Sequence, residues 1–192
     1  MSGAVFLALD FETTGLDSSR ERVVEIGAIR FRLEGGADGG EARLIEEGSL
    51  ASLVDPSIPM PARARAVHGL GDEDLAGAPP FRDLALPLLS LAEGASIVAH
   101  NVSFDLSFLV AELGRMGLAA PRAPAVDTVT LSRKVFPGLP SYRLGSVAQS
   151  LGIHSGRGHR AVDDARTCMR IYAACAAAIG RRPPLRARRR PC

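Results

Sequence analysis

The apolar positions of this chain change period along its length, and each change marks an element. Val5 to Leu9 is an unbroken apolar run, the pattern of a strand buried on both faces. The run ends in Asp10-Phe11-Glu12. Side chains alternate along a strand, so the two carboxylates project from one face while Phe11 packs on the other. Thr13-Thr14-Gly15 then supplies the turn chemistry that stops the strand. Residues 22–32 (RVVEIGAIRFR) are rich in β-formers and predict a second strand, and residues 42–54 predict a third. The glycine-rich segment 35–40 between them is hairpin-sized, so the first three strands should form an antiparallel meander. Asp55-Pro56 and Pro59 to Pro61 break it, and a short helix over 62–67 follows.

The period then becomes helical. Phe81, Leu84, Leu88 and Leu91 recur at helix spacing, with Pro87 expected to kink or interrupt that helix. Residues 95–99 read as a fourth strand. Residues 103–116 read as a helix whose stripe is Leu106, Leu109, Val110, Leu113 and Met116. A fifth strand over 125–128, helices over 128–135 and 142–151, a loop from Gly152 to Gly158, and a last helix from Ala161 to Ile179 complete the pattern. There is no internal repeat and no interdomain linker. The economical reading is one α/β domain over residues 1–180, a mixed central sheet of about five strands flanked by helices, with a tail over 181–192.

Composition narrows the setting. The chain has 192 residues, 46% of them hydrophobic and 23% charged, which is ordinary for a soluble globular domain with a sizeable core. The first apolar run is too short, and too soon interrupted by Asp10, for a signal peptide or membrane span. Three cysteines with no CxxC pair point to a reducing, cytoplasmic location. Cys168 and Cys175 lie seven apart in the last helix and so share a face as small core residues. The net charge of +2 conceals an asymmetry. Residues 181–192 hold six arginines and no acid, and without them 17 basic face 21 acidic side chains. Such a tail could hold phosphate backbones without sequence preference, or be a solvated end.

Four further acids are weighed beside Asp10 and Glu12. Asp105 falls in the first turn of the 103–116 helix, within the arc that should face the core, although a helix N-terminus favours an acid for its dipole alone. Glu112 falls on nearly the same side. Asp164 is in phase with Cys168, Ile171 and Cys175, whereas Asp163 is rotated by about 100° toward solvent. A carboxylate on an apolar face needs a compensating charge. A hard divalent cation shared with Asp10 and Glu12 would supply it: Mg²⁺, with Mn²⁺ as a substitute. Two such ions roughly 4 Å apart clamp the attacking and leaving oxygens in phosphodiester cleavage. His159 ends a glycine-flanked loop five residues before Asp164, and its ordinary titration range suits a general base. His100, at the end of the fourth strand, reads as a packed, hydrogen-bonded residue, and His68 as a loop anchor.

Together these stretches resemble the DEDDh family of 3′–5′ exonucleases. Asp10-Phe11-Glu12-Thr13-Thr14-Gly15-Leu16 is similar to the family's first motif, His100 to Asp105 to its second, and His159 to Ala165 to its third. The similarity runs from about residue 4 to 179. Within the family, the Thr-Thr-Gly turn, Val23 to Ala28, and Val67 to Leu70 resemble the proofreading branch associated with bacterial DNA polymerase III. The resemblance implies a ribonuclease H-like fold and two Mg²⁺ ions. Asp10, Glu12 and Asp164 would hold the ion at the scissile phosphate, Asp10 would also touch the second, and Asp105 would hold that one largely through water. His159 would deprotonate the attacking water. Thr13 to Leu16, His68 and Phe104 would line the pocket for the 3′-terminal nucleotide. The implied substrate is single-stranded DNA or a frayed 3′ end, met in proofreading or repair, with a DNA polymerase subunit as a partner. The segment Arg181 to Cys192 resembles neither the polymerase-binding segment nor the clamp-binding motif of that branch, which leaves the partner open. An RNA-trimming or oligoribonuclease-like enzyme and a non-catalytic nucleic-acid-binding module are the alternatives. A phosphoryl-receiver domain is excluded by the three consecutive strands at the start.

Overall fold

A computed structural model describes residues 4–35, 43–156 and 158–180. Its centre is a five-stranded mixed sheet in the order β3-β2-β1-β4-β5. β1 (Val5–Thr13), β2 (Val23–Glu34) and β3 (Arg43–Leu53) form the antiparallel meander that the short separators required. β4 (Ser96–Ala99) and β5 (Ala125–Asp127) join it in parallel to β1. The helices are α1 (Ala62–His68), α2 (Asp72–Leu75), α3 (Phe81–Ala92), α4 (Val102–Arg115), α5 (Thr128–Val135), α6 (Leu144–Ser150) and α7 (Ala161–Gly180). No described helix is long and apolar enough to cross a membrane.

The alternation of β1 divides the core in two. Leu7, Leu9 and Phe11 pack with Phe81 and Leu88 of α3 and with Phe108 and Leu109 of α4. On the opposite face Ala8 packs with Phe31, Val98 and the Cys168–Met169 part of α7. Asp10 and Glu12 share the face of Ala8 and so look toward α7. Cys168 and Cys175 are both buried free thiols, as their spacing required. Gly27, opposite Asp10 in the register, admits the start of α7 to the sheet. A Cβ there would lie 2.1 Å from the Ala161 carbonyl carbon and oxygen. Only glycine allows that approach.

The elements depart from expectation in three places. α3 runs on through Pro87, which lies on the exposed face, where the carbonyl it deprives of a bond can turn to water. α6 begins at Leu144 rather than Tyr142, because Tyr142 is engaged by its hydroxyl on the Phe136 carbonyl (2.9 Å) and by its own carbonyl on His100 Nε2 (2.9 Å). The single turn α2 carries too few residues to show a period. The tail over 181–192 lies outside the described residues.

Candidate active site

Four acids converge where β1 leaves the sheet. Asp10 and Glu12 come from β1. β4 pairs β1 only from Phe6 to Ala8, and past that point the Phe11 N–H donates to Asp105 Oδ1 from α4 at 3.0 Å. That bond fixes a 3% exposed carboxylate against the end of the strand. Asp164, in the first turn of α7, accepts the His159 N–H on Oδ2 at 3.0 Å. His159 takes a left-handed backbone (φ 62°), which turns its exposed side chain over the acids. Ligand atoms of Glu12, His159 and Asp164 lie within 4.8 Å of one another.

Electrostatics show what the group lacks. Burial, followed by repulsion from Asp105, Asp164 and Glu12, drives the Asp10 carboxyl well above the usual carboxylate range. Burial and the charges of Asp164, Glu25 and Asp105 push Glu12 up to about 8, against a small opposing pull from Arg160. Burial carries Asp105 up to about 7 despite the Phe11 N–H, and it raises Asp164 despite the His159 N–H. Among the described residues none of these four acids has a lysine or arginine within ion-pair distance. Oxygen donors, partly ionised and without a cation, are the donor set of a hard divalent metal, so the residues present fit one.

Glu112 makes the contrast. It is buried beside Asp105 on α4, yet its carboxylate meets Arg22 Nε at 2.8 Å, Arg115 at 3.4 Å and the Val23 N–H at 3.2 Å. It is a structural anion. Asp163 sits 4.0 Å from Arg166, away from the group.

Glu25 is a participant that pattern reading missed. It lies directly across from Glu12 on β2 and is 4% exposed. Its oxygens accept from Arg160 Nε (3.0 Å), Arg160 Nη2 (2.8 Å) and the Ala161 N–H (3.2 Å). The pair therefore pins the residues that follow His159 to the sheet. The signal in the sequence was an acid within the apolar first half of β2, between Val24 and Ile26.

A cavity of about 590 Å³ opens beside Glu12, lined by Thr13, Leu16, Val67, His68 and Phe104 among others. All four positions expected around a terminal nucleotide thus share one wall system. His68 is the last residue of α1 rather than part of a loop. Its Nδ1 accepts the Leu70 N–H at 3.1 Å, so the neutral ring carries its proton on Nε2, which faces the Thr13 backbone without completing a hydrogen bond. Burial lowers the pKa of this imidazole and keeps it neutral. Leu16 stands 85% exposed at the rim.

Comparison with known proteins agrees with this arrangement. The RNase_T family model, described as Exonuclease, matches residues 7–172. DNA polymerase III subunit epsilon of Treponema pallidum is 34% identical over 169 residues, covering 87% of this chain and 74% of that protein. DNA polymerase III PolC-type of Thermotoga maritima is 35% identical over 170 residues, which span 88% of this chain but only 12% of that protein. Among solved structures, E. coli exonuclease I in complex with a dT13 oligonucleotide superposes with a TM-score of 0.73, over 89% of this chain and 40% of that one, at 18% identity. The nuclease domain of 3′hExo, described as a DEDDh family member bound to rAMP, gives 0.71 over 91% and 92%, at 16% identity. These two likenesses are likenesses of fold.

Proposed function

The chain belongs to the RNase T-type, DEDDh family of 3′–5′ exonucleases, and from that premise we propose that it removes nucleotides from the 3′ ends of DNA as nucleoside 5′-monophosphates. The observation that carries the reading is the gathering of Glu12 and Asp164 under an exposed His159, with Asp10 and Asp105 close enough for their charges to repel and no cation within ion-pair distance of any of the four among the described residues. Asp10, Glu12 and Asp164 would hold a Mg²⁺ ion at the scissile phosphate. Asp10 would share a second ion with Asp105, whose contact is largely through water, and Mn²⁺ would substitute for either. Bound there, the ions would neutralise phosphate charge and acidify a water.

The chain's own residues do the rest. His159 is the general base: a ring nitrogen takes the proton of the attacking water as its oxygen bonds to phosphorus and the bond to the upstream 3′-oxygen breaks. Imidazole is a poor partner for Mg²⁺ compared with carboxylate oxygen, which leaves the ring free for that task although it lies within reach of the metal group. In the adjoining cavity Leu16 and Phe104 would flank the terminal base, while Thr13 and His68 would line the side that meets its sugar.

DNA is favoured because the relatives at 34% and 35% identity carry DNA polymerase III names. Single strands or frayed ends fit the setting of proofreading or repair, with a polymerase subunit as the partner. The test is a 5′-labelled single strand with Mg²⁺, set beside EDTA and Asp10→Ala controls. A ladder shortening from the 3′ end, absent in both controls, is expected. Full activity of Asp10→Ala would refute the reading. Equal-length substrates ending in deoxyribose or ribose decide between DNA and RNA.

A further inference from the structure

A second cavity, about 580 Å³, lies on the other side of the acid group, lined by Arg143, Leu144, Ser146, Gln149, Ser155, His159, Asp164 and Thr167. It has no lining residue in common with the Thr13–His68–Phe104 cavity, and the two meet at Glu12, His159 and Asp164. Its size falls within the roughly 300–1,000 Å³ of small-ligand sites.

Resting on the exonuclease reading above, we propose that this second cavity seats the nucleotide on the 5′ side of the cleaved bond, and that Arg143 binds the phosphate that nucleotide carries at its own 5′ oxygen. A phosphodiester has a nucleoside on each side of phosphorus. With the reacting phosphate at the acids and the 3′-terminal nucleoside in the first cavity, the remaining nucleoside must leave past His159 and Asp164, where this cavity stands.

The lining suits a phosphate-bearing ligand because of which arginine is free. The arginines at and along the start of α7 are engaged elsewhere: Arg160 by Glu25 (2.8 Å), Arg166 by Glu46 (3.4 Å) and Arg170 by the His154 carbonyl (2.8 Å). The Arg143 guanidinium is exposed and, among the described residues, has no hydrogen-bonding or ion-pair partner. A free guanidinium presents a forked donor set that matches phosphate oxygens. Ser146, Gln149 and Ser155 add neutral donors, and Leu144 gives an apolar surface for sugar or base.

His100 gains a role from this assignment. A carbonyl can only accept, so His100 Nε2 carries the proton given to the Tyr142 carbonyl (2.9 Å), and Nδ1 accepts from Thr128 Oγ1 (2.9 Å). The side chain at the end of β4 thereby anchors the peptide that leads into Arg143. His100 is a positioning residue for the cavity wall.

The dinucleotides d(TpT) and d(pTpT) differ only in the phosphate that Arg143 would meet. They are compared as kcat/KM with Mg²⁺ and as competitors against shortening of a long labelled strand. In the wild-type chain the added phosphate should improve both measures roughly 10- to 100-fold, in Arg143→Lys by less, and in Arg143→Ala by no more than about 2-fold. An equal gain in Arg143→Ala, or no gain in the wild type, overturns the proposal. A wild-type chain that shortens no strand at all refutes the nuclease reading first, and the subsite falls with it.

Discussion

Removing the charge of Glu12 should stabilise the metal-free protein at alkaline pH while weakening its response to Mg²⁺. In the fold the Glu12 carboxyl titrates at about 8, against 4.5 in an unconstrained chain. The folded state therefore binds more protons than the unfolded state between those values. Stability is fully present below the lower one and is lost as pH rises through the higher. At about 1.4 kcal/mol per tenfold change in proton affinity, the span corresponds to about 5 kcal/mol. Glu12 is 8% exposed, so solvent screening reduces this little, although relaxation of the neighbouring Asp105 and Asp164 makes it a ceiling. Glu12→Gln keeps the shape and removes the titration. Urea unfolding in EDTA at about pH 5 and about pH 9 measures the effect. The wild type should lose several kcal/mol across that interval and the variant clearly less. Mg²⁺ should stabilise the wild type far more at the higher pH, because the metal replaces protons that are already gone. A variant no more stable than wild type at about pH 9 in EDTA, or a Mg²⁺ effect independent of pH, would refute the account of the site as a cation-deficient acid cluster.

Other consequences are as direct. His159→Ala should slow strand shortening roughly 10²- to 10⁴-fold while leaving the Mg²⁺ concentration for half-maximal activity unchanged, and a raised midpoint would make His159 a ligand instead. Gly27→Ala should cost roughly 1–3 kcal/mol or more in chemical denaturation, since the new Cβ meets the Ala161 backbone at 2.1 Å, and wild-type stability would show that α7 can retreat freely. Glu25→Gln should lower kcat more than it raises KM and cost roughly 1–3 kcal/mol, because Arg160 loses its charged partner and the residues after His159 their anchor; unchanged kcat would refute that positioning role. Deleting residues 181–192 should weaken single-strand affinity and flatten its salt dependence, and an unchanged salt slope would make the tail a bystander.

What was legible in the sequence is what local geometry controls. The two-residue period of a strand puts Asp10 and Glu12 on one face, and the 100° step of a helix turns Asp164, but not Asp163, toward them. The paired carboxylates of α4 mark the limit. Asp105 and Glu112 share an arc and are both buried, so periodicity cannot separate the acid proposed to hold a metal from one neutralised by the protein's own arginines. What separates them is a guanidinium: Arg22 reaches Glu112 from 90 positions away, and no arginine or lysine of the described residues reaches Asp105. Glu25 is the same problem reversed, an acid in the reacting group's own neighbourhood whose partner, Arg160, comes from 135 positions away. In each case function turns on which acid is left unpaired after folding. That is a property of long-range contacts, because a buried charge stays available to a metal only where the tertiary structure withholds every cation of its own.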